Sequence, residues 1–234
     1  MKGAQASRLC NRQTRQPGRP LKTKTRHPLD QTPIPFLPAL RSGPAELPAL
    51  LEIFSQIPAL TLRQSWLPAP EPGFLPASAC TAHNGTHLIV LAELPDDDIF
   101  TLSTGPNQKT WELGDVFEIF LQPAGAEHYF ELHTTPANTR TQFRLAKPGA
   151  PLEPLPDGTF ASCVWKSETR WHTLAEIPLT LPGTTPPAGV RLSFSRYDAF
   201  RTGRPPILSS TSPHPVPKFH RPAEWTQFFL AAEP

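Results

Sequence analysis

Proline occurs throughout this sequence and limits the folds open to it more than any other feature. The chain has 32 prolines among 234 residues. A proline inside a helix removes a backbone hydrogen bond and clashes with the preceding turn, so long helices are excluded. The chain is therefore expected to form short strands joined by many loops.

Short apolar runs that alternate like strands recur from about residue 58, separated by Gly, Pro, Asn and Asp. Asn84-Gly85 lies between two such runs, and this dipeptide favours the type I′ turn of a hairpin. A later run alternates so that Val190, Leu192 and Phe194 point to one side. Roughly nine to eleven strands are predicted. The sequence therefore predicts an all-β protein, an antiparallel β-sandwich of jelly-roll-like type.

The first 50 residues differ in composition from the rest. Residues 1–26 carry eight Lys or Arg and no acid, whereas the remainder has 14 Lys or Arg against 20 Asp or Glu. A basic, proline-rich segment without periodicity cannot bury enough apolar surface to offset chain entropy. Residues 1–50 are predicted to be a disordered arm and residues 51–234 the sandwich. The arm fits either an anionic-surface contact or a plain solvated extension, and no nucleic-acid partner is predicted.

The sequence lacks the motifs of common catalytic sites. It has no Gly-rich phosphate loop, no G-x-S-x-G and no H-E-x-x-H. Cys10, Cys80 and Cys163 are widely spaced and form no C-x-x-C pair, which argues against disulfides and a zinc site. No apolar run is long enough to span a membrane, and no secretory signal is visible, so the compartment stays open.

A second hairpin, DVFEIFLQ-PAGA-EHYFELHT, yields the candidate site. Its apolar residues share one face of each strand: Phe117, Ile119, Leu121, Phe130 and Leu132. The two apolar faces coincide if Gln122 pairs with Glu127 across the loop. That register places Glu118 opposite Glu131, a like-charge pair that costs up to about 1 kcal/mol and calls for a compensating group.

The following run, TRTQFRLA, is expected to place Phe143 and Leu145 on the core side and its polar residues beside the two glutamates. The predicted ligand-binding residues on this face are Trp111, Glu118, Tyr129, Glu131, Arg140 and Gln142. Carboxylates, amides and guanidinium groups pair with sugar hydroxyls, while aromatic rings pack on the sugar's C–H face. The face therefore predicts carbohydrate binding.

Other interpretations of these residues stay open. The same face is compatible with a solvated sheet surface that carries one or two ion pairs. The two glutamates also resemble a glycosidase pair, but carboxylates neutralised by arginine make a poor acid and nucleophile. Asp96, Asp97 and Asp98 offer oxygen ligands for calcium, yet they lack the D-x-D-x-D-G spacing and also suit a solvated acidic loop.

The order of several motifs resembles the family 9 carbohydrate-binding modules. These motifs are DDDIF, W-x-x-GDVFEIFLQP and HYFELHTTPANTRTQFR, followed by W-x-x-x-AEIPL, LSFSRYD, LSSTSP and FHRPAEW, and together they cover roughly residues 60–232. The resemblance implies a sugar-binding β-sandwich, often secreted or periplasmic and linked to glycoside hydrolases, with structural calcium in some members. It implies sugar-contact roles for Trp111, Glu118 and Arg140.

One position departs from the family pattern. The segment that often carries a second clamping aromatic reads Ser209-Ser210-Thr211-Ser212, with Thr211 at that position, and Trp225 is expected to pack structurally. The sequence thus predicts a non-catalytic protein that binds a mono- or oligosaccharide at a chain end, in association with polysaccharide breakdown. The alternative is a structural or protein-interaction sandwich without a sugar site.

Overall fold

A computed structural model describes residues 32–42, 46–186 and 188–232. Within these ranges the elements are, in chain order, β1 (Thr32–Ile34), α1 (Leu47–Phe54), β2 (Leu60–Thr61), β3 (Ser78–His83), β4 (His87–Pro95), β5 (Val116–Pro123), β6 (Tyr129–Thr134), β7 (Arg140–Leu145), β8 (Glu153–Pro154), β9 (Ala161–Lys166), β10 (Arg170–Pro178), β11 (Ala188–Asp198), β12 (Ile207–Ser210) and β13 (Thr226–Leu230). Short 3-10 helices cover Pro38–Ser42, Thr110–Glu112 and Pro222–Glu224. No helix in this part of the chain has the length and apolar character needed to cross a membrane.

The strands form two sheets, which confirms the predicted β-sandwich. The larger sheet has the order β1-β13-β11-β5-β6-β7-β8, with β12 also paired to β11. The smaller sheet has the order β2-β3-β4-β10-β9. The strand pairs are antiparallel except for β1 with β13, which run parallel.

The main hydrophobic core lies between the two sheets. It takes alternate residues of the central strands of both sheets, including the predicted inward residues Phe117, Ile119, Leu121, Phe130, Leu132, Val190, Leu192 and Phe194. Alternation places the remaining residues of these strands on the opposite face. Those outer faces are also buried in part, and they have their own apolar clusters.

The sandwich begins earlier in the chain than the predicted boundary at residue 51. Ile34 of β1 is fully buried and pairs with Leu230, while Leu50 of α1 packs on the outer face of the smaller sheet. A three-residue strand needs only a free backbone edge and one buried side chain, so it leaves no periodic signal in the sequence. Residues 1–31 and 43–45 of the predicted arm lie outside the described residues.

The Asn84-Gly85 segment connects β3 to β4, as the sequence predicted, but not through the expected type I′ turn. Gly85 has a φ of 92°, and Asn84 is not among the residues with positive φ. Instead, the Asn84 side-chain oxygen accepts hydrogen bonds from the backbone N–H groups of Thr86 and His87. Asparagine therefore shapes this turn through its side chain.

Candidate functional site

A cavity lies on the outer face of the larger sheet, beneath the chain segment that leads into β13. Phe219 and Trp225 of that segment are buried against Phe120 and Tyr129 of the sheet. The indole N–H of Trp225 donates to the Phe219 carbonyl at 2.9 Å, which confirms the structural role expected for this tryptophan. The segment leaves a cavity of about 390 Å³, lined by Trp111, Glu118, Glu131, Leu152, Tyr197, Pro217, Lys218, Phe219, His220 and Arg221.

The β5–β6 register differs by two residues from the predicted one. Glu118 lies opposite His133, and Glu131 lies opposite Phe120. A shift of two keeps the apolar faces matched, because side chains alternate with a period of two. The real register removes the like-charge opposition and places an imidazole next to both carboxylates.

His133 links the two glutamates at the floor of the cavity. Its Nε2 lies 3.0 Å from Glu131 Oε1 and 3.4 Å from Glu118 Oε1. Burial raises the pKa of Glu118 to about 8, and the neighbouring Glu131 adds to this effect, which His133 opposes. Burial would lower the pKa of His133, but the two glutamates raise it above its ordinary value. Burial would raise the pKa of Glu131, but the hydrogen bond and the charge of His133 outweigh this effect, so the pKa of Glu131 is lowered.

Trp111 lies at the cavity wall, as the sequence predicted. It is carried by the 3-10 helix Thr110–Glu112 and is half-buried, with its ring edge-on to His133 at 5.6 Å. Gly114 anchors the following turn at a φ of 138°, where a Cβ would lie 2.7 Å from the Phe100 carbonyl oxygen. Only glycine fits this close approach between two backbones. The glycine of the W-x-x-G motif thus holds the tryptophan in place.

Tyr129 supports the cavity without lining it. Its ring is fully buried and packs edge-on against Trp225, with centroids 5.1 Å apart. Its hydroxyl is 2.8 Å from Nδ1 of His220, which does line the cavity. Tyr129 was predicted as a contact residue, whereas the structure gives it the role of orienting His220.

Arg140 and Gln142 do not line the cavity, so the structure does not bring them together with Trp111, Glu118 and Glu131 as the sequence predicted. In β7 the pairing sets Thr141 opposite His133 and Phe143 opposite Glu131, which puts Phe143 on the cavity side and its neighbours on the other. Gln142 is fully buried and its Oε1 accepts from the Phe160 N–H at 3.4 Å. Arg140 pairs with Asp157 at 3.3 Å. The expected orientation of β7 is inverted. Phe143 and Leu145 were expected on the core side, but they belong to the apolar cluster on the outer face of the sheet with Trp225.

Seven residues of the cavity lining were not predicted from the sequence, among them Tyr197 and His220. Tyr197 follows Ser195 by two positions in β11, and Ser195 pairs with Glu118, so both side chains face the cavity side. Correct β5–β11 pairing would have revealed Tyr197. His220 lies in an irregular segment with no periodic signal. Thr211 does not line the cavity, and its hydroxyl accepts from the Phe194 N–H at 3.0 Å.

The three adjacent aspartates considered for calcium do not converge. Asp97 is exposed, and Asp98 pairs with Arg201 at 2.8 Å. Asp96 instead joins Asp198 around the guanidinium of Arg196, at 3.1 and 3.0 Å from its Nη2.

Asp115 completes this second buried cluster. Its carboxylate oxygens lie within 4.8 Å of those of Asp96 and Asp198, and they accept from two backbone N–H groups, of Phe100 and Ala199. Arg196 already supplies a positive charge to this cluster through its ion pairs with Asp96 and Asp198.

Comparisons with known proteins agree with this fold. No protein-family profile matches the sequence, and no curated protein sequence matches it significantly. A candidate carbohydrate-binding protein from Bacteroides uniformis is similar with a TM-score of 0.67 and 16% identity, over 86% of this chain and 97% of that one.

Two further structures are family 9 carbohydrate-binding modules from Caldicellulosiruptor kristjanssonii. The one in complex with cellotriose has a TM-score of 0.64 and 14% identity, over 87% of this chain and 95% of that one. The one in complex with glucose has a TM-score of 0.61 and 13% identity, over 87% and 97%. The resemblance expected from the sequence is thus confirmed at the level of the fold, which this chain shares with family 9 carbohydrate-binding modules.

Proposed function

We propose that this protein binds a carbohydrate, without catalysis, in the cavity between Trp111 and Tyr197. The observation that carries the proposal is that two buried carboxylates line one cavity with three aromatic rings, those of Trp111, Tyr197 and Phe219. Aromatic rings pack on the C–H face of a sugar, and carboxylates accept hydrogen bonds from its hydroxyls. Tyr197 provides the second ring that Thr211 does not.

The polar groups of the cavity suit a hydroxylated ligand. Glu131 Oε2 is buried and has no hydrogen-bond partner among the described residues, so it is available to a ligand O–H group. Lys218 and Arg221 line the same cavity and add donors. The volume of about 390 Å³ lies in the range of small-molecule sites.

The same geometry argues for binding rather than hydrolysis. A glycosidase needs two carboxyl groups on either side of the scissile bond, with space for the sugar between them. Here His133 Nε2 lies between Glu118 and Glu131, at 3.4 and 3.0 Å from them. The imidazole fills the space that the reacting bond would need.

The structural neighbours guide the choice of ligands. Two of them were solved with cellotriose and with glucose, so β-glucans and glucose are the first probes. Cellotriose is an oligosaccharide, a fragment of the kind that polysaccharide breakdown releases. We therefore include an association with polysaccharide breakdown in the proposal.

Calorimetric titration of the full chain with glucose, cellotriose and a wider sugar panel tests this function. We expect saturable binding that Trp111→Ala weakens by about tenfold or more, through loss of the stacking ring. Trp165→Ala is the matched control, because Trp165 is also half-buried but lies on β9 of the other sheet. Circular dichroism of both variants verifies the fold.

Either of two results would oppose the proposal. Failure of the wild-type chain to bind any sugar favours the interaction-domain alternative and directs the search to protein partners. Equal loss in Trp111→Ala and Trp165→Ala would show that binding does not depend on this cavity.

A further inference from the structure

Two glutamates and two histidines converge on the floor of the cavity. Glu118, Glu131 and His133 each offer a ligand atom, and these atoms all lie within 4.8 Å of one another. His220 adds a fourth donor from the covering segment, with its Nε2 3.8 Å from Glu131 Oε1. We propose that Glu118, Glu131, His133 and His220 form a site for a divalent transition-metal ion, for which Zn²⁺ is the best match.

The spacing of the donor atoms suits a tetrahedral ion. Bonds of about 2.0–2.1 Å to nitrogen and oxygen place tetrahedral ligand atoms roughly 3.3 Å apart. His133 Nε2 lies 3.0 Å from Glu131 Oε1 and 3.4 Å from Glu118 Oε1. Imidazole with carboxylate is a donor set that favours zinc over calcium or magnesium.

Both imidazoles are oriented by a hydrogen bond at their other nitrogen. Thr110 Oγ1 lies 2.8 Å from His133 Nδ1, and the Tyr129 hydroxyl lies 2.8 Å from His220 Nδ1. The Nε2 atom of each ring is thereby directed to the glutamates. Metal-ligating histidines are held in this way in known sites, where the outer partner fixes the ring orientation.

Glu131 provides an independent indication of a ligand. Its side chain is 3% exposed, yet Oε2 has no hydrogen-bond partner among the described residues. An unpaired buried carboxylate oxygen costs free energy unless a cation or donor satisfies it. A metal ion bound at this position would satisfy it.

The second acidic cluster provides a contrast within the same chain. Asp96, Asp115 and Asp198 have Arg196 among them, so a permanent cation is part of the fold. Within the described part of the chain, the groups paired with Glu118 and Glu131 are histidines, which can give up their protons to an incoming ion. Access is open, because the His220 side chain is 42% exposed.

Calorimetric titration of the chelator-treated full chain with ZnCl₂, in the absence of sugar, tests the site. We expect one Zn²⁺ per chain, with proton release that appears as a dependence of the heat on the buffer. His133→Gln and His220→Gln should each weaken binding by about a hundredfold or more, because each removes a ligand. His87→Gln is the control, since His87 lies in the β3–β4 hairpin.

Three outcomes would overturn the proposal: no saturable binding of Zn²⁺, unchanged affinity in both ligand variants, or equal loss in His87→Gln. His220→Gln keeps the test valid if His133→Gln fails to fold, because His220 is the exposed member. The site lies in the cavity proposed for sugar, but the two tests separate. Zn²⁺ binding without sugar binding supports only the metal site, and sugar binding in chelator without Zn²⁺ binding supports only the proposed function.

Discussion

Arg196 shows at the scale of a single residue how this fold accommodates buried charge. Its side chain is 1% exposed, and its Nη2 lies 3.1 Å from Asp96 and 3.0 Å from Asp198. A guanidinium removed from water must be paired, or its burial opposes folding. Asp96 and Asp198 depend on Arg196 in turn, because a buried carboxylate also needs a partner of opposite charge.

Arg196→Met should therefore lower the free energy of unfolding by about 3–5 kcal/mol, because it leaves buried carboxylates without their cation. Urea denaturation at neutral pH measures the change. Arg201→Met is the matched control: Arg201 pairs with Asp98, but its side chain is 62% exposed. An exposed pair contributes up to about 1 kcal/mol. Equal losses in the two variants would contradict the assigned role of Arg196.

At the scale of the elements, several strands are buried on both faces. Every residue of β5 is buried, although strict alternation predicts one solvated face. The covering segment before β13 lies on one sheet, and α1 lies on the other. This double coverage creates the cavity, because a buried outer face can carry aromatic rings and carboxylates together.

The contribution of α1 can be tested with two adjacent leucines. Leu50 is 1% exposed and packs with Leu91 and Leu174, whereas Leu51 is 42% exposed. Leu50→Ala should destabilise the chain by about 2–4 kcal/mol, since it removes buried methyl groups and leaves a cavity. Leu51→Ala should change stability by less than about 1 kcal/mol. Similar values for the two variants, measured by thermal unfolding, would mean that α1 does not pack as described.

At the scale of the whole molecule, the two acidic clusters give stability a shared dependence on pH. Burial, reinforced by Asp96, raises the pKa of Asp115 to about 8. Burial likewise raises the pKa of Glu118 to about 8 and that of Asp198 to about 6. The folded state therefore holds protons that the unfolded state has released above about pH 4.

The Tm should consequently fall as pH is raised from 6 to 8. The unfolded state binds fewer protons than the folded state over this range, so the free energy of unfolding decreases with pH. His172 and His220, whose pKa values burial lowers, act in the opposite direction, and their effect fades as the pH rises through the ordinary histidine pKa of about 6.5. The Asp115→Asn variant should be less stable than the wild type overall, but its Tm should fall less steeply between pH 6 and 8. A wild-type Tm that is constant or rises from pH 6 to 8 would contradict the assignment.

The sequence by itself determined the fold class and three residues of the cavity lining. Prolines exclude long helices, and alternation identified the inward residues of β5, β6 and β11, because a strand with one side in the core repeats every two residues. Glu118 and Glu131 followed from the same pattern, Trp111 from its place just before β5 and from the family resemblance, and all three line the cavity. These features are local, so short windows of sequence contain them.

Only the tertiary structure decided the rest. Pairing set Glu118 against His133 and turned Arg140 and Gln142 away, because several registers satisfy the same alternation. The contributions of Tyr197 and His220 depend on strand order and on an irregular segment, which no periodicity encodes. Contacts between residues far apart in sequence follow from the packing of whole elements, and that packing places two imidazoles beside two carboxylates.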